Sequence, residues 1–299
     1  MLKVAISGGT GIAGRFIAER LLAANIEVVL LGRLAPSSSL FEGDVEFRKM
    51  SLTENPEQTS LFNGCAAFVH AAFHHEAGKY RGGEGGDPTT FRRANVEGSV
   101  ALFKAAKTAG VRQSVFLSSR AVYGTQVPSS VLDETQVPKP DTLYGQVKLE
   151  AERALLELSS DGFLPIIVRS TGIYGASAGS PAHKWSDLFA AIERGEAVQP
   201  RVGTEIHGED LAEAIWLLLS TEQSKIDAAG GPSGPIFNAS DIMLDRQELV
   251  AAYAKLRGLE DVILPAKTDS SLFNMMDCTK LRSLGWKPRG RLDLAFLER

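Results

Sequence analysis

The chain has 299 residues, of which 44% are hydrophobic and 23% are charged, and its formal net charge is −4. This composition is typical of a folded globular protein and argues against nucleic acid or a membrane surface as a partner. No apolar run approaches the ~20 residues of a membrane span, and the N-terminal MLKVAISGG shows no basic leader. The only cysteines, Cys65 and Cys278, fit a reducing compartment. We therefore expect a cytoplasmic protein.

Short apolar runs alternate with helix-like segments through the first two-thirds of the chain. Strands alternating with helices of a dozen or so residues indicate βαβ units and a parallel sheet that is covered on both faces. We therefore predict an α/β fold with a doubly wound parallel sheet of the Rossmann type. The predicted strands are 2–8, 26–33, 66–72, 114–119 and 164–171, and the predicted helices are 13–25, about 92–109 and about 143–158.

The alternation weakens after about residue 175. The segments 176–185 and 227–235 are rich in Gly, Ala, Ser and Pro and are predicted to be loops. Further helices are predicted at 186–194, 209–220 and 245–257. We predict a Rossmann domain over 1–175, to which 206–240 returns, and a smaller C-terminal substrate-binding subdomain formed by 176–205 and 241–299.

A glycine-rich turn separates the first predicted strand from the first predicted helix. Glycine permits a tight turn and close approach of the backbone to a pyrophosphate, and the N-terminus of the next helix offers free N–H groups and a positive dipole. Because both the strand and the helix are present, this context favours a dinucleotide site over an ordinary turn. The predicted cofactor contacts in the turn are Gly8, Thr10, Gly11, Ile12 and Gly14.

The end of the second predicted strand bears on the choice between NAD and NADP. An acidic residue about 20 residues after the turn would bind the ribose 2′-hydroxyl of NAD. The sequence has Gly32 and Arg33 there, and no acidic residue before Glu42. Arginine suits a 2′-phosphate and stacks on adenine, although a solvated loop would also accept it. We favour NADP, with NAD as the alternative.

Residues 141–150, DTLYGQVKLE, place Tyr144 four positions before Lys148. On a helix these positions share one face, and a nearby ammonium lowers the pKa of a phenol, which makes it a usable acid or base near neutral pH. Taken alone, however, the pair is common and indicates a solvated helix face. The upstream strand ends in Ser118 and Ser119, at the sheet edge where doubly wound folds bind ligands. Together these residues favour a catalytic site.

The sequence resembles the extended short-chain dehydrogenases/reductases of the NAD(P)-dependent epimerase/dehydratase group over almost its whole length. Besides the glycine turn and the helix with Tyr144 and Lys148, six segments carry this resemblance. They are FVHAA (68–72), NVEGSVALFKAA (95–106) with a structural Asn95, LSSRAVYG (117–124), VRSTGIYG (168–175), IHGEDLAEAI (206–215) and KLRSLGWKP (280–288).

The resemblance implies a mechanism and a set of site residues. NAD(P) exchanges a hydride with a substrate carbon, Tyr144 moves the proton on the oxygen, and Ser119 hydrogen-bonds that oxygen. Lys148 lowers the pKa of the tyrosine and holds the nicotinamide ribose. Relatives often dimerise through the helices near 95–108 and 143–158, so the resemblance also implies a homodimer. The cofactor contacts that it adds are His70, Ala71, Ala72, Ser118, Tyr144 and Lys148.

Two departures from the family pattern concern the substrate. Many relatives have Arg-Pro-x-Asn where this chain has Arg169 to Gly172, so an asparagine that often contacts a nucleotide-sugar diphosphate is missing. The segment between Pro200 and His207 is short and lacks the part that packs on a nucleotide base. A simple carbonyl or free-sugar reductase therefore fits as well as an enzyme of nucleotide sugars.

The segment 74–93, HHEAGKYRGGEGGDPTTFRR, is predicted to be a glycine-rich loop over the active site. Its basic residues suit either an anionic substrate or a solvated loop. His74, His75 and Glu76 do not predict a metal site, because adjacent residues rarely aim at one ion, and we expect no metal. The candidate substrate-binding residues are Arg92, Arg120, Ser170, Thr171 and His183.

Two classes of function remain. The first is an NAD(P)-dependent oxidoreductase or epimerase that acts on a sugar, a nucleotide sugar or a related carbonyl or hydroxy compound. The second is a dinucleotide-binding regulatory protein without turnover, against which the set of Ser119, Tyr144 and Lys148 argues, since a sensor needs no acid/base. The choice among reductase, epimerase and dehydratase, and the identity of the substrate, stay open.

Overall fold

The structure is a computed structural model that describes residues 2–53, 58–76, 83–177 and 183–298. Within these residues a seven-stranded sheet has the order β3-β2-β1-β4-β5-β6-β9, and all of its strand pairs are parallel. The predicted doubly wound sheet is thus confirmed. The strands are β1 (Lys3–Ser7), β2 (Glu27–Gly32), β3 (Val45–Lys49), β4 (Ala67–His70), β5 (Gln113–Ser119), β6 (Leu164–Ser170), β7 (Gly172–Tyr174), β8 (Val202–His207), β9 (Ile236–Ala239) and β10 (Ile242–Asp245).

Helices cover both faces of the large sheet. Val4 and Ile6 of β1 face a layer that includes α1 and α6, while Ala5 faces a layer that includes α3 and α4. This two-sided burial explains why the strands read as continuous apolar runs. The helices are α1 (Ile12–Ala23), α2 (Pro88–Arg93), α3 (Ser99–Thr108), α4 (Leu143–Leu156), α5 (Ser186–Glu193), α6 (Gly208–Ser220), α7 (Gln223–Gly230), α8 (Arg246–Arg257) and α9 (Thr279–Ser283).

The chain changes direction across the sheet between β1 and β4. It builds β1, β2 and β3 outward on one side and then returns to place β4 on the other side of β1. Ser7, at the end of β1, is in register with Leu31 of β2 and with His70 of β4. Ligands of doubly wound sheets bind at the carboxyl ends of the strands at such a point.

A second, smaller sheet has the order β10-β8-β7. It begins immediately after β6, because β7 starts at Gly172. β7 is parallel to β8, and β10 is antiparallel to β8. A separate apolar cluster that includes Tyr174, Trp185, Phe189 and Tyr253 packs α5 and α8 against this sheet. The small sheet is thus joined directly to the strand end next to Ser119.

Several local predictions were incomplete or wrong. β3 was not predicted, because it is a partly exposed edge strand with the mixed sequence VEFRK. Residues 227–230 of the predicted loop belong to α7. The helix predicted from about residue 92 already begins at Pro88, since Asp87 caps it by accepting a hydrogen bond of 2.9 Å from the Thr90 nitrogen. Among the described residues, no helix is long and apolar enough to cross a membrane.

Candidate active site

The glycine turn after β1 is closely packed. Gly8 has a φ of +74°, and a Cβ atom there would lie 2.6 Å from the main-chain nitrogen of Ala72. A Cβ atom on Gly14 would lie 2.1 Å from the carbonyl oxygen of Gly8. A side chain at either position would push main-chain segments apart. The two glycines therefore hold the start of α1 close to the end of β4.

The N-terminus of α1 fits an anionic ligand. Its N-cap is Gly11, which provides no side-chain hydrogen bond, and its first turn contains no acidic residue. Thr10 and Gly11 are exposed, and Ile12 is half-buried. The N–H groups of the first turn and the positive end of the helix dipole suit a pyrophosphate. The residues predicted as dinucleotide contacts in the turn thus fit that group.

His70 lies fully buried at the end of β4. The Ser99 hydroxyl donates to the Asn95 carbonyl oxygen at 2.7 Å, so it accepts from His70 Nε2 at 2.8 Å. His70 Nδ1 then accepts from Ser7 Oγ at 2.5 Å. Burial lowers the pKa of His70 to about 3, and the charge of Lys148 adds to this effect. His70 therefore offers a cofactor its main chain and not its ring, and the half-buried Ala71 and Ala72 follow beside the glycine turn.

Arg33 directly follows β2 and is exposed. Within the part of the chain that the structure describes, its side chain has no hydrogen bond and no ion pair. A guanidinium in this state is available to a phosphate or to the face of a base. The position is compatible with the predicted 2′-phosphate contact.

Tyr144 and Lys148 lie in the first two turns of α4. The helix is capped by Thr142, whose hydroxyl accepts from the Gly145 nitrogen at 3.1 Å. Tyr144 is half-buried and Lys148 is 5% exposed. Phe73, in the loop after β4, contacts both: its ring centroid is 5.1 Å from that of Tyr144 and 4.7 Å from the Lys148 nitrogen. The two residues therefore share one face of α4 and one aromatic neighbour.

The ammonium of Lys148 is held in largely apolar surroundings. It donates a hydrogen bond of 2.8 Å to the carbonyl oxygen of Leu117 and lies 4.7 Å from the ring of Phe116 as well as of Phe73. Burial lowers the pKa of Lys148 to about 7, although the charge of Glu152 opposes this effect. Such a lysine changes its charge in the physiological pH range.

Ser119 is the last residue of β5 and caps the short 3₁₀ helix Arg120–Tyr123 by accepting from the Ala121 nitrogen at 3.2 Å. α4 packs closely on this turn, since a Cβ atom on Gly145 would lie 2.4 Å from the Ala121 carbonyl oxygen. Lys148 reaches the same strand two residues before Ser119. The structure thus brings Ser119, Tyr144 and Lys148 to one end of β5.

Ser118 points away from the cleft. Its hydroxyl donates to Glu152 Oε1, and both side chains are buried. Arg169 of β6 donates to both oxygens of Glu152, at 3.1 Å from Nε and 2.8 Å from Nη2. Because this hydroxyl is bound within the protein, Ser118, a predicted cofactor contact, offers a cofactor its main chain.

Two of the candidate substrate-binding arginines have partners in the protein. Arg92 forms an ion pair with Glu150 on the outer surface, where the Arg92 side chain is 50% exposed. Arg120 donates to the Asn274 carbonyl oxygen at 3.0 Å, and its guanidinium lies 4.7 Å from the ring of Phe273. Arg120 thereby links the end of β5 to the C-terminal segment, while Arg92 lies on the surface of α2.

The other three candidates lie along the path from β6 to the small sheet. Ser170 is in register with Ser119, and its hydroxyl donates to the Thr171 carbonyl oxygen at 3.3 Å. Thr171 follows it, with its main-chain nitrogen bound to the Ala239 carbonyl oxygen at 3.2 Å. His183 is half-buried against Phe189 and Phe296. Ser170 and Thr171 lie beside the predicted catalytic serine, whereas His183 lies in the small subdomain.

The segment 74–93, predicted to be a glycine-rich loop over the active site, is only partly described, because residues 77–82 lie outside the described residues. Its last part, Pro88–Arg93, is helical and forms α2. Its first part is fastened by Asn95, whose side chain accepts from the His74 nitrogen and donates to the His74 carbonyl oxygen, both at 2.8 Å. Asn95 also donates to the Phe91 carbonyl oxygen at 2.9 Å. These bonds give Asn95 the structural role that the resemblance implied.

A cationic cavity of about 120 Å³ lies between the small sheet, α5 and α8. Three cationic side chains, Lys184, Arg201 and Arg246, and one carboxylate, Glu205, line it. Lys184 forms an ion pair with Glu205, whereas the Arg201 and Arg246 side chains have no hydrogen bond or ion pair within the described residues. Burial lowers the pKa of Arg246, and the charge of Arg201 adds to this effect. An anion would relieve the excess of positive charge.

Sequence reasoning missed this cavity, Phe73 and Glu152. Lys184, Arg201 and Arg246 are far apart in sequence and meet only through the small sheet. Phe73 lies in a loop without any pattern that points to the tyrosine. Glu152 did have a signal, since it lies four residues after Lys148 and so on the same helix face.

Known proteins provide an independent comparison. A sequence model of the NAD dependent epimerase/dehydratase family matches residues 4–231. The UDP-glucose 4-epimerase of Streptomyces lividans is 26% identical over an alignment 329 positions long, which covers 99% of this chain and 94% of that protein. A 4-hydroxy-2-methyl-3-oxo-4-farnesyl-3,4-dihydroquinoline-1-oxide ketoreductase of Stigmatella aurantiaca is 29% identical over 58% of this chain and 51% of its own length.

Solved structures share the fold. MoeE5 in complex with UDP-glucuronic acid and NAD aligns with a TM-score of 0.75 at 23% identity, over 98% of this chain and 95% of that chain. The family match spans the glycine turn, the end of β5 and the helix with Tyr144 and Lys148. The chain therefore belongs to the NAD-dependent epimerase/dehydratase family, the extended short-chain dehydrogenases/reductases that its sequence resembles, and is an enzyme of that family.

Proposed function

We propose that the protein is an epimerase or dehydratase of nucleotide sugars that uses Tyr144 as its acid/base. The observation that carries the proposal is the meeting of Ser119, Tyr144 and Lys148 at one end of β5, next to a glycine turn that fits a dinucleotide. The relative from Streptomyces lividans, which aligns over nearly the whole chain, supports this class of substrate.

Each residue has a distinct task in this proposal. A bound nicotinamide supplies the hydride chemistry. The Tyr144 phenolate takes the proton from a substrate hydroxyl, and the phenol that results returns it. The Ser119 hydroxyl donates to the same oxygen, and the Lys148 ammonium favours the ionised phenol and binds ribose hydroxyls. Phe73 and Phe116 keep water away from Lys148, which strengthens its electrostatic effect.

The cationic cavity provides a place for the anionic part of the substrate. Ser170 is the register partner of Ser119, and Gly172 follows two residues later. A Cβ atom on Gly172 would lie 2.2 Å from both the Glu205 carboxylate and the Lys184 nitrogen, so Gly172 packs against the ion pair that lines the cavity. A sugar held at Ser119 would thus extend toward Lys184, Arg201 and Arg246, which suit a diphosphate. This supports a substrate-binding role for the subdomain 176–205 and 241–299.

For the cofactor we propose a preference for NADP, whose 2′-phosphate binds the Arg33 guanidinium. Its support is an exposed, unengaged guanidinium at the end of β2, within the described residues. The solved relative MoeE5 holds NAD, so NAD is the alternative. Fluorescence titration of NADPH and NADH into wild type and Arg33→Ala separates the two. NADPH preference that disappears in the variant supports the proposal, and equal binding or tighter NADH contradicts it.

The proposed reaction is tested by product analysis. Wild type and Tyr144→Phe are incubated with UDP-glucose, UDP-glucuronic acid and dTDP-glucose, and the products are separated by chromatography and identified by NMR. An epimer or a dehydrated sugar, formed without net change in cofactor absorbance and lost in Tyr144→Phe, is the expected result. No product from any nucleotide sugar would contradict the proposal.

A second candidate is an NADPH-dependent carbonyl reductase. Gly172 stands where many relatives have asparagine, and the relative from Stigmatella aurantiaca is a ketoreductase. Net loss of cofactor absorbance with a panel of carbonyl compounds would favour this activity.

We also propose a homodimer formed through α3 and α4, which lie side by side on one face of the sheet. The proposal rests on the resemblance to relatives that dimerise through these helices. Sedimentation equilibrium tests it directly. A mass near twice 32.1 kDa supports the dimer, and a mass near 32.1 kDa at all concentrations contradicts it.

A further inference from the structure

Tyr144, Lys148 and Glu152 follow one another at intervals of four residues on α4 and so lie along one face of the helix. Glu152 is 1% exposed, which is rare for a carboxylate unless it is fully paired. It lies one helical turn after Lys148 on α4. The bonds that hold its carboxylate therefore also bear on the positions of Tyr144 and Lys148, nearer the start of the helix.

The Glu152 carboxylate joins α4 to two neighbouring strands. It accepts a hydrogen bond from Ser118 of β5 and is bound by the Arg169 guanidinium of β6. Ser118 and Arg169 are themselves register partners, one residue before the partners Ser119 and Ser170. One carboxylate thus fixes the helix with the acid/base to the strand ends that carry the serine.

Besides its ion pair with Glu152, the Arg169 guanidinium contacts an aromatic ring. Its guanidinium lies 4.8 Å from the ring of Tyr123, and the Tyr123 hydroxyl donates to Asn238 Oδ1 at 2.8 Å. Burial opposes the charge on Arg169, but the hydrogen bonds and charge of Glu152 outweigh it and raise the pKa of the guanidinium. The Arg169 guanidinium is therefore held charged between Glu152 and the ring of Tyr123.

The titratable groups around Lys148 come from four elements. Tyr144 and Glu152 lie on its own helix. His70, which is neutral, lies on β4, and Arg169 lies on β6 beyond Glu152. In the loop after β4, the ring of His75 stacks on that of Phe73. Glu152 is the carboxylate on this face of α4, and its charge favours the protonated lysine.

We propose that Glu152 is a positioning residue for the active site: its carboxylate, held by Ser118 and Arg169, fixes α4, and with it Tyr144 and Lys148, against the strand end that carries Ser119. The inference rests on the proposed function, because it assigns Lys148 and Tyr144 a task in that reaction. It adds a buried residue that touches neither cofactor nor substrate.

The test compares Glu152→Gln with the double variant Glu152→Gln/Arg169→Met. The single variant leaves a buried guanidinium without its counter-charge and is expected to lose much of its thermal stability. The double variant removes both charges and is expected to melt near the wild-type temperature. Glu134→Gln serves as the matched control, since Glu134 is a buried carboxylate that accepts from the Asn238 nitrogen at 2.7 Å, and its charge is not among those that shift the pKa of Lys148.

The decisive readout is the pH dependence of NADH binding and of turnover. With Glu152 neutral, Lys148 loses its proton at lower pH, so the alkaline limb of both profiles is expected to move down by at least half a pH unit in the double variant. Turnover at neutral pH is expected to fall about tenfold. Glu134→Gln is expected to keep the wild-type profile.

A double variant that melts like wild type and also has the wild-type profile and turnover would overturn the inference, because Glu152 would then act only in folding. The same would follow if Glu134→Gln moved the profile equally. Failure of the proposed function would look different: wild type itself would turn over no nucleotide sugar, while the binding profiles would still report on Glu152.

Discussion

Phe73 and Tyr144 meet edge to face, with ring centroids 5.1 Å apart and ring planes inclined by 81°. The same phenyl ring lies 4.7 Å from the ammonium of Lys148. A residue from the loop after β4 thus touches both members of a pair that α4 supplies. Such a contact limits the orientations of the tyrosine ring and excludes water from the lysine, which are the two properties that an acid/base pair requires.

The first prediction concerns this aromatic ring. Phe73→Leu keeps most of the apolar volume but removes the ring quadrupole, which contributes about 0.5–2 kcal/mol to a buried cation. We expect turnover to fall severalfold and the alkaline limb of the pH profile to move to lower pH, while Phe73→Tyr keeps both near wild type. Steady-state kinetics from pH 6 to 10 measures the effect.

Trp216→Leu is the control for this experiment, because the Arg20 guanidinium lies 5.2 Å from the Trp216 ring on the opposite side of the sheet. Its kinetics should not change. Identical profiles for Phe73→Leu and wild type would show that the ring only fills space.

The second prediction concerns stability and pH. Lys148 has a pKa near 7 in the folded protein and an ordinary value of 10.5 when unfolded. Between these values the unfolded chain binds a proton that the folded chain does not, so the free energy of unfolding rises with pH by about 1 kcal/mol per unit from this residue. Lys148→Met removes that contribution. Urea unfolding at pH 7.5, 8.5 and 9.5 should give a smaller rise for the variant, and equal slopes would contradict the assigned burial.

The third prediction concerns the dinucleotide site. Gly14→Ala places a Cβ atom 2.1 Å from the Gly8 carbonyl oxygen, so the turn has to open. We expect NADH affinity to fall at least tenfold and the free energy of unfolding to decrease by about 1–3 kcal/mol. Gly230→Ala is the control, since its Cβ atom meets nothing nearer than 3.5 Å. Titration calorimetry that finds unchanged affinity in Gly14→Ala would place the dinucleotide elsewhere.

The fourth prediction concerns the cationic cavity. Arg246→Gln removes one of the two guanidinium groups that line the cavity and have no ion pair within the described residues. It is expected to weaken binding of UDP by about tenfold to a hundredfold, in line with about 1.5–3 kcal/mol for a charged hydrogen bond. Arg257→Gln, an exposed change at the other end of α8, is the control. Glu205→Gln should strengthen binding, because it removes the carboxylate that repels the phosphates. Equal affinities in all variants would exclude the cavity as a phosphate site.

Local sequence patterns predicted much of the fold and part of the site. The glycine turn lies where the spacing of Gly8, Gly11 and Gly14 indicated, because its neighbours in space are neighbours in sequence. Tyr144 and Lys148 share a face for the same reason, since helix geometry alone relates residues four apart. β3 escaped prediction because an exposed edge strand lacks the apolar run that marks a buried one.

The sequence by itself determined the alternation of strands and helices through the first two-thirds of the chain, the glycine turn and the spacing of Tyr144 and Lys148, because each depends on hydrogen bonds and side chains within one or two turns of chain. Only the tertiary structure decided that Phe73 covers the pair, that Ser118 faces Glu152 and not the cleft, and that Lys184, Arg201 and Arg246 share one cavity. These relationships join segments far apart in sequence, and burial of apolar surface, which is non-directional, brings them together only once the whole sheet has formed.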